Sequence, residues 1–385
     1  MATAATLIFW MCVTVIFFAY AGFPLVLLCS SLFRNRQVEK KPITPSITLI
    51  VAAYNEERNI AQKLENALSL DYPAGALEII VASDGSNDRT EEIVRERFGH
   101  RVKLLSLPRC GKIFALNQAI EHSMGEILTF SDANTIFHPQ ALKKLVMNFA
   151  DAQVGGVCGN QVYLHRDDQE HTACGEKLYW DYDKWLKELQ NRTGSIIAAD
   201  GAIYAIRREL FRVPASSAIT DDFAISTAVI EQGSRLVFER EALAFEELSA
   251  GAKQEFRRKV RIMNRGLRAV MLRRSLLNPF RFGIYSVTLL SHKILRRLIP
   301  FFLLVLFMVS IFLSVERANP YLWFAASQGV FYGWAALGYL LRNTILGTFK
   351  LFYIPAFYCL VNVAAAVAVM KLISGQKIEL WEPQR

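Results

Sequence analysis

The feature that most constrains this chain is an almost unbroken apolar run from Thr6 to Phe33, closed at once by Arg34, Arg36, Lys40 and Lys41. As a helix rising about 1.5 Å per residue, such a run crosses about 30 Å of hydrocarbon with its backbone polar groups satisfied internally. The basic cluster behind it assigns the following segment to the cytoplasmic side. No basic segment precedes the run, and it is longer than the apolar core of a cleaved signal, so it reads as an anchor.

Three more apolar runs follow at residues 298–315, 321–341 and 351–373, each long enough to span. The 385 residues carry a net charge of +9 and are 52% hydrophobic, a balance that fits neither a disordered chain nor an ordinary soluble enzyme. Because the basic residues gather beside apolar segments, the expected partner is membrane lipid and not nucleic acid. The expected order is a transmembrane helix at 6–33, a soluble domain at 42–250, basic interface helices at 251–297, transmembrane helices at 298–373 and a tail at 374–385. One span before the domain and three after it place both ends outside, whereas Lys371, Lys377 and Arg385 favour the inside.

In the polar middle, β-rich runs at 47–53, 78–83, 102–107 and 126–131 alternate with helical patterns at 57–70, 90–98 and 112–122. That alternation predicts an α/β domain with a parallel sheet covered on both faces, where ligands bind beyond the carboxyl ends of strands. The residues found there are Ala53-Tyr54-Asn55-Glu56, Ser83-Asp84-Gly85-Ser86-Asn87-Asp88 and Ser131-Asp132-Ala133-Asn134. One acidic turn is ordinary turn and cap chemistry; three at adjacent strand ends point to a polar ligand. A nucleotide suits them, since carboxylates accept from base or ribose, Tyr54 can stack, and an acidic pair can hold a divalent cation on a diphosphate. The six cysteines and six histidines show no metal-ligand spacing, so any metal is expected to have oxygen ligands and the cysteines to be reduced packing residues.

At these residues the sequence resembles the family 2 glycosyltransferases, membrane-embedded inverting enzymes with a GT-A fold that include hyaluronan, chitin-oligosaccharide, poly-N-acetylglucosamine and cellulose synthases. The motifs that carry the resemblance run in the family's order: 53–56, 83–86, Gly111-Lys112 with Ala115-Leu116-Asn117, 132–134, Thr220-Asp221-Asp222, and Arg258-Lys259-Val260-Arg261-Ile262. The resemblance implies a Rossmann-like nucleotide-sugar domain. In it Ala53, Tyr54, Glu56, Asp84, Lys112, Asp132, Arg258 and Arg261 bind the donor, and Asp132 with Asn134 holds Mg²⁺ or Mn²⁺. The family's D-x-D is here D-x-N, which makes Asn134 a neutral carbonyl ligand. Asp222 falls where the family has its general base, with a helix N-cap as the structural alternative. Asp200, Gly201 and Asp221 fall at the sugar or acceptor site, Asp200-Gly201-Ala202 following a strand-like run at 195–199.

From Lys253 to Arg274 nine basic residues face one acid, and Phe256, Val260, Met263, Leu267, Val270 and Met271 recur at helical spacing. This predicts a basic amphipathic helix lying in the membrane interface with its apolar face in lipid. The family's Q-x-x-R-W motif lies on such a helix; Arg261 matches its arginine, a second register at 254–258 keeps the glutamine and arginine, and neither has the tryptophan. The expected activity is inverting, metal-dependent transfer from a UDP-sugar to a glycan or lipid-linked acceptor at a bacterial inner membrane, in cell-envelope or exopolysaccharide synthesis, with processive action and protein partners for secretion if the product is a polymer. The alternatives are addition of one sugar to a polyprenyl- or lipid-linked acceptor, and a non-catalytic membrane scaffold.

Overall fold

The computed structural model describes residues 2–164, 173–214, 219–247, 252–317 and 320–376, apart from 343 and 345, with side chains except at 173–180, 252–254, 317 and 348. The expected tail from 377 onward, including Lys377 and Arg385, and the expected boundary at 250 lie outside the described residues. The chain divides into a helical unit of residues 2–33, 173–186 and 252–376 and a sheet unit of residues 34–164 and 187–247.

In the helical unit, α1 (Ala2–Phe17), a π-helical turn and α2 (Phe23–Phe33) run on continuously as one apolar helix.

The sheet unit follows the predicted alternation. Its elements are β1 (Ile47–Ala53), α3 (Ile60–Leu68), β2 (Leu77–Asp84), α4 (Thr90–Phe98), β3 (Lys103–Leu107), α5 (Lys112–Glu121), β4 (Ile127–Asp132), β5 (Ile136–Phe137), α6 (Ala141–Val146), β6 (Val154–Leu164), the end of α7 (Ala173–Thr193), β7 (Tyr204–Arg207), α8 (Asp221–Glu231) and β8 (Arg235–Glu247). Every residue of β1 is buried, as befits a central strand covered on both faces. Helix α3 starts three residues later than expected. Asn55 there adopts φ +54, and residues 54–59 form a loop over the strand ends before helical geometry begins.

The strand order is β3-β2-β1-β4-β7-β6-β8-β5. The first four strands are parallel, as the alternation predicts. The rest departs from the expected parallel sheet: β7 is antiparallel to both β4 and β6, β8 is parallel to β6, and β5 is antiparallel to β8. The expected strand at 195–199 does not form. Ile196 makes one backbone bond to Leu236 (2.9 Å), and Ser195 Oγ accepts from the Leu236 N–H (3.2 Å), so a side chain replaces the ladder. Asp200-Gly201-Ala202 therefore leads into β7 instead of ending a strand.

The remaining helices of the helical unit are α9 (Ala252–Leu272), α10 (Pro279–Phe282), α11 (Ile284–Leu289), α12 (Arg296–Arg317), α13 (Tyr321–Leu340) and α14 (Lys350–Ile373). Among the described residues three helices are long and apolar enough to cross a membrane: Ala2–Phe33, Ile284–Glu316 and Lys350–Ile373. The second begins well before the expected residue 298, because α11 runs into α12 through a π-helical turn. The remaining expected span, at 321–341, is α13, a helix of 20 residues whose Ser327, Gln328, tyrosines and glycines lower its apolarity.

Helix α9 corrects one expectation. Part of its apolar face is covered by another helix: Val260 packs on Ala364 and Ala368 of α14 with Phe256 and Met263 beside it, and Asn264 Nδ2 donates to the Ala368 carbonyl (3.0 Å), whereas Met271 stays exposed. A buried amide with a carbonyl partner fixes this contact in a way that lipid could not.

Candidate active site

The carboxyl ends of β1, β2 and β4 bring the predicted acids together. Ala53 is buried as the last residue of β1, and the loops after β1 and β2 are sewn to each other. Asn55 N–H donates to Ser86 Oγ (3.1 Å), Asn87 N–H to Asn55 Oδ1 (2.9 Å), Glu56 N–H to Thr90 Oγ1 (2.8 Å) and Glu57 N–H to Asp88 Oδ2 (3.1 Å). Asp88 is thus a strut between two loops as well as a cap on α4, accepting from Thr90 N–H (3.0 Å). Burial pushes the Glu56 carboxyl up, Asn59 opposes this through a 2.7 Å bond, and the Asp132 and Asp88 charges add to the rise.

Asp84, 1% exposed, accepts from the backbone N–H groups of Cys110 and Gly111, both at 2.8 Å, and pairs with the Arg109 guanidinium. The same guanidinium lies 3.4 Å from the centre of the Tyr54 ring. Arg109, Tyr54 and Asp84 therefore form one stack, a planar cation between an aromatic face and a carboxylate. Arg109 can approach because residue 85 is glycine: with φ +68, a Cβ there would stand 2.7 Å from the Arg109 nitrogen. Sequence reasoning missed Arg109, which sits in no motif and only trails β3.

Lys112 opens α5 behind Gly111, and its Nζ lies 2.7 Å from Asp132 Oδ1 and 2.9 Å from Asp221 Oδ2. Burial works against its charge, but the two carboxylates outweigh that and hold its pKa above the ordinary lysine value. Asp221 and Asp222 form the first turn of α8, where the helix dipole favours anions. The N-cap position belongs to Thr220, without a side-chain cap bond, while Asp222 Oδ1 accepts from the Phe223 N–H (2.6 Å).

Gly201 lies beside the Asp132 and Asp222 carboxylates. A Cβ on residue 201 would stand 3.5 Å from Asp132 Oδ2 and 3.9 Å from Asp222 Oδ2, so both oxygens face one small space that the missing side chain leaves open. Asp200 points elsewhere, into an ion pair with Lys187 (2.5 Å), and its N–H meets Cys158 Sγ at 3.3 Å. It anchors the turn. Beneath the acids lies Tyr204, fully buried and stacked on Phe130 (4.6 Å), with no hydrogen-bond partner for its hydroxyl among the described residues.

Among the described residues no group of three or more His, Cys, Asp or Glu side chains could hold a metal alone. The donor set still fits a hard divalent cation, which commonly takes one or two carboxylates plus substrate phosphate oxygens. Asp132 supplies Oδ2 to the open space, while the Asn134 amide donates to Glu246 Oε1 (3.0 Å), which leaves its carbonyl oxygen available. Arg258 and Arg261 lie on α9 of the helical unit, where Arg258 pairs with Glu255 (2.8 Å).

An α/β sheet with acids at the carboxyl ends of three adjacent parallel strands, and two facing carboxylates over a glycine, has its polar groups where open α/β sheets bind ligands. The profile of Glycosyl transferase family 2 matches residues 48–213, and that segment is a domain of this family. Over 181 residues the chain is 30% identical to a beta-monoglucosyldiacylglycerol synthase of Trichormus variabilis, covering 46% of this chain and 38% of that protein. Over 228 residues it is 27% identical to a poly-beta-1,6-N-acetyl-D-glucosamine synthase of Staphylococcus epidermidis, covering 57% of this chain and 52% of the other. The chain thus spans about half or less of the length of these relatives. In fold it is similar to the mannosyltransferase PcManGT from Pyrobaculum calidifontis, solved in complex with GDP-Man and Mn²⁺, at a TM-score of 0.72 and 19% identity over 96% of this chain and 100% of that one.

Proposed function

We propose that the chain transfers a sugar, with inversion, from a nucleoside diphosphate sugar to an acceptor hydroxyl. The observation that carries this reading is the pair of carboxylates facing one space across Gly201, one beside the Lys112 ammonium and the other at the start of α8. Direct displacement needs a base for the acceptor proton and positive charge for the departing diphosphate, and these two positions supply them.

In this reading Asp222 takes the proton from the acceptor hydroxyl as the hydroxyl oxygen attacks the anomeric carbon. Asp84 and Tyr54 hold the nucleoside, and the Arg109 guanidinium between them offers N–H donors to phosphate. Lys112 donates to the diphosphate. A Mg²⁺ or Mn²⁺ ion held by Asp132, Asn134 and the diphosphate would neutralise charge on the leaving group. The absence of any side chain at Gly201 leaves room for the sugar ring.

The basic residues after Phe33 support a cytoplasmic site, where nucleotide sugars are made. Relatives named for glycolipid and for polysaccharide synthesis leave two acceptor classes, a lipid and a growing glycan. The motif tryptophan missing beside Arg261 favours transfer of single sugars over polymerisation.

The test is to incubate detergent-purified protein with a panel of UDP- and GDP-sugars, lipid extract and Mn²⁺, reading released nucleotide and product length. Turnover with one donor, abolished by chelator and restored by Mn²⁺ or Mg²⁺, is expected. Activity that survives full chelation would remove Asp132 from its role, and a ladder of products would replace single addition with polymerisation.

A further inference from the structure

Lys63 is a lysine with no exposed surface, on the buried face of α3 with Ile60, Leu64 and Ala67. A lysine is almost never found fully buried unless it is paired. Its Nζ lies 2.7 Å from Ser131 Oγ, 2.7 Å from the Thr135 carbonyl and 4.0 Å from the centre of the Phe137 ring. The two oxygen acceptors flank Asp132, Ala133 and Asn134, so one nitrogen ties together both ends of that turn. Burial pushes the Lys63 ammonium down to about 7, with the Asp132 charge opposing. The geometry holds in either protonation state, since a neutral amine keeps two N–H donors for two oxygen acceptors.

Ser131 extends the contact. Its oxygen accepts from Lys63, and its single hydroxyl proton is shared between the carbonyls of Asp132 (3.1 Å) and Ala202 (3.3 Å). The β4–β7 ladder stops at the pair Phe130 and Tyr204, and this side-chain bond continues the connection one residue further. Ala202 follows Gly201, the residue over which Asp132 and Asp222 face each other.

We propose that Lys63 is a positioning residue which, through Ser131, fixes the Asp132 turn and the Gly201 turn to one another and so sets the placement of Asp132 in the site. It touches no reacting atom. Two features separate it from a core lysine that merely fills space: both oxygen contacts fall on the segment bearing Asp132, and the Ser131 relay ends beside Gly201. The inference rests on the proposed reading for the meaning of that placement, but the positioning itself can be measured without turnover.

The test compares four proteins: wild type, Lys63→Met, Ser131→Ala, and Leu145→Ala, which opens a cavity in the same core at α6 and removes neither oxygen contact of Lys63. Hydrogen exchange is followed at residues 127–137 and 198–206 in metal-free protein, and the Mn²⁺ concentration for half-maximal turnover is read alongside. Lys63→Met is expected to speed exchange at least tenfold in both segments and to raise the Mn²⁺ requirement at least tenfold, with kcat at saturating Mn²⁺ changed less. Ser131→Ala should move both readouts in the same direction by less. Leu145→Ala should lower the melting temperature and move neither. Folded Lys63→Met with exchange and Mn²⁺ requirement as in wild type would overturn the inference. If Lys63→Met does not fold, Ser131→Ala decides: faster exchange at 198–206 supports the relay, and unchanged exchange overturns it. Wild type without Mn²⁺-dependent turnover would sink the proposed function, leaving the exchange comparison to judge the positioning.

Discussion

The Lys112 ammonium lies 2.7 Å from the Asp132 carboxylate, inside the space that a donor diphosphate and its cation are proposed to enter. One lysine thereby neutralises a carboxylate that would otherwise face Asp221 across a partly buried pocket, since the same ammonium also reaches Asp221 at 2.9 Å. Lys112→Met is expected to lower stability by about 2 kcal/mol, below the 3–5 kcal/mol or so of a fully buried pair because Asp132 keeps some solvent contact. Chemical denaturation of the detergent-solubilised protein checks this, and weaker binding of UDP should accompany it.

Asp222→Asn keeps the shape of the first turn of α8 and removes the proposed proton acceptor. Turnover should fall by about 10²–10⁴-fold, the usual span for loss of a general base. Donor affinity, read by calorimetry with UDP and Mn²⁺, should stay within about threefold, because the base acts on the acceptor; equal turnover in the folded variant would remove Asp222 from its role.

Position 201 separates space from chemistry. Gly201→Ala adds a Cβ at ordinary contact distance from Asp132 Oδ2 and Asp222 Oδ2, and should cost about tenfold or less in kcat/KM. Gly201→Val adds two further methyl groups beside those oxygens and should cost about 10²-fold or more, as misplacement of about 1 Å does. Melting temperatures of the two variants should differ little. Similar kcat/KM for both would show that the space is not used.

Asp88 provides a pH signature. Burial works to raise its carboxyl pKa, but bonds from Thr90 and from the Glu57 backbone outweigh this and hold it below the ordinary aspartate value. A folded pKa below the unfolded one contributes stability above the unfolded pKa of about 3.9, and that stability is lost as pH falls through the folded pKa. Melting temperature followed from pH 6 to pH 3 should therefore drop more steeply for wild type than for Asp88→Asn, with a difference of about 1 kcal/mol or less after allowance for solvent screening.

The strands β1 to β4 and the acids beyond them were legible because their signals are local. An all-buried parallel strand reads as a continuous apolar run, and a turn needing polar residues follows it at once. Lys63 shows where such reading stopped. It sits three residues after Ile60 and one before Leu64, on the apolar face of α3, and that placement was available as a sign of a buried lysine; its target, the turn at 131–135, was not, since it lies 68 residues away. Arg109 gave no sign of its own, because its role depends on Tyr54 and Asp84 arriving from two other strands. The amphipathic pattern of α9 was read correctly as a helix, but whether its apolar face meets lipid or another helix depends on α14, more than a hundred residues further on.

By itself, the sequence determined the apolar helix before the basic cluster, the alternating sheet domain and the acidic strand ends, all properties of residues within one or two elements of each other. Tertiary structure decided the reversal at β7, the sharing of Lys112 between Asp132 and Asp221, and the open space at Gly201. Each of these requires groups from distant segments to meet, and sequence spacing carries no information on that meeting until the sheet order fixes which strand ends are neighbours.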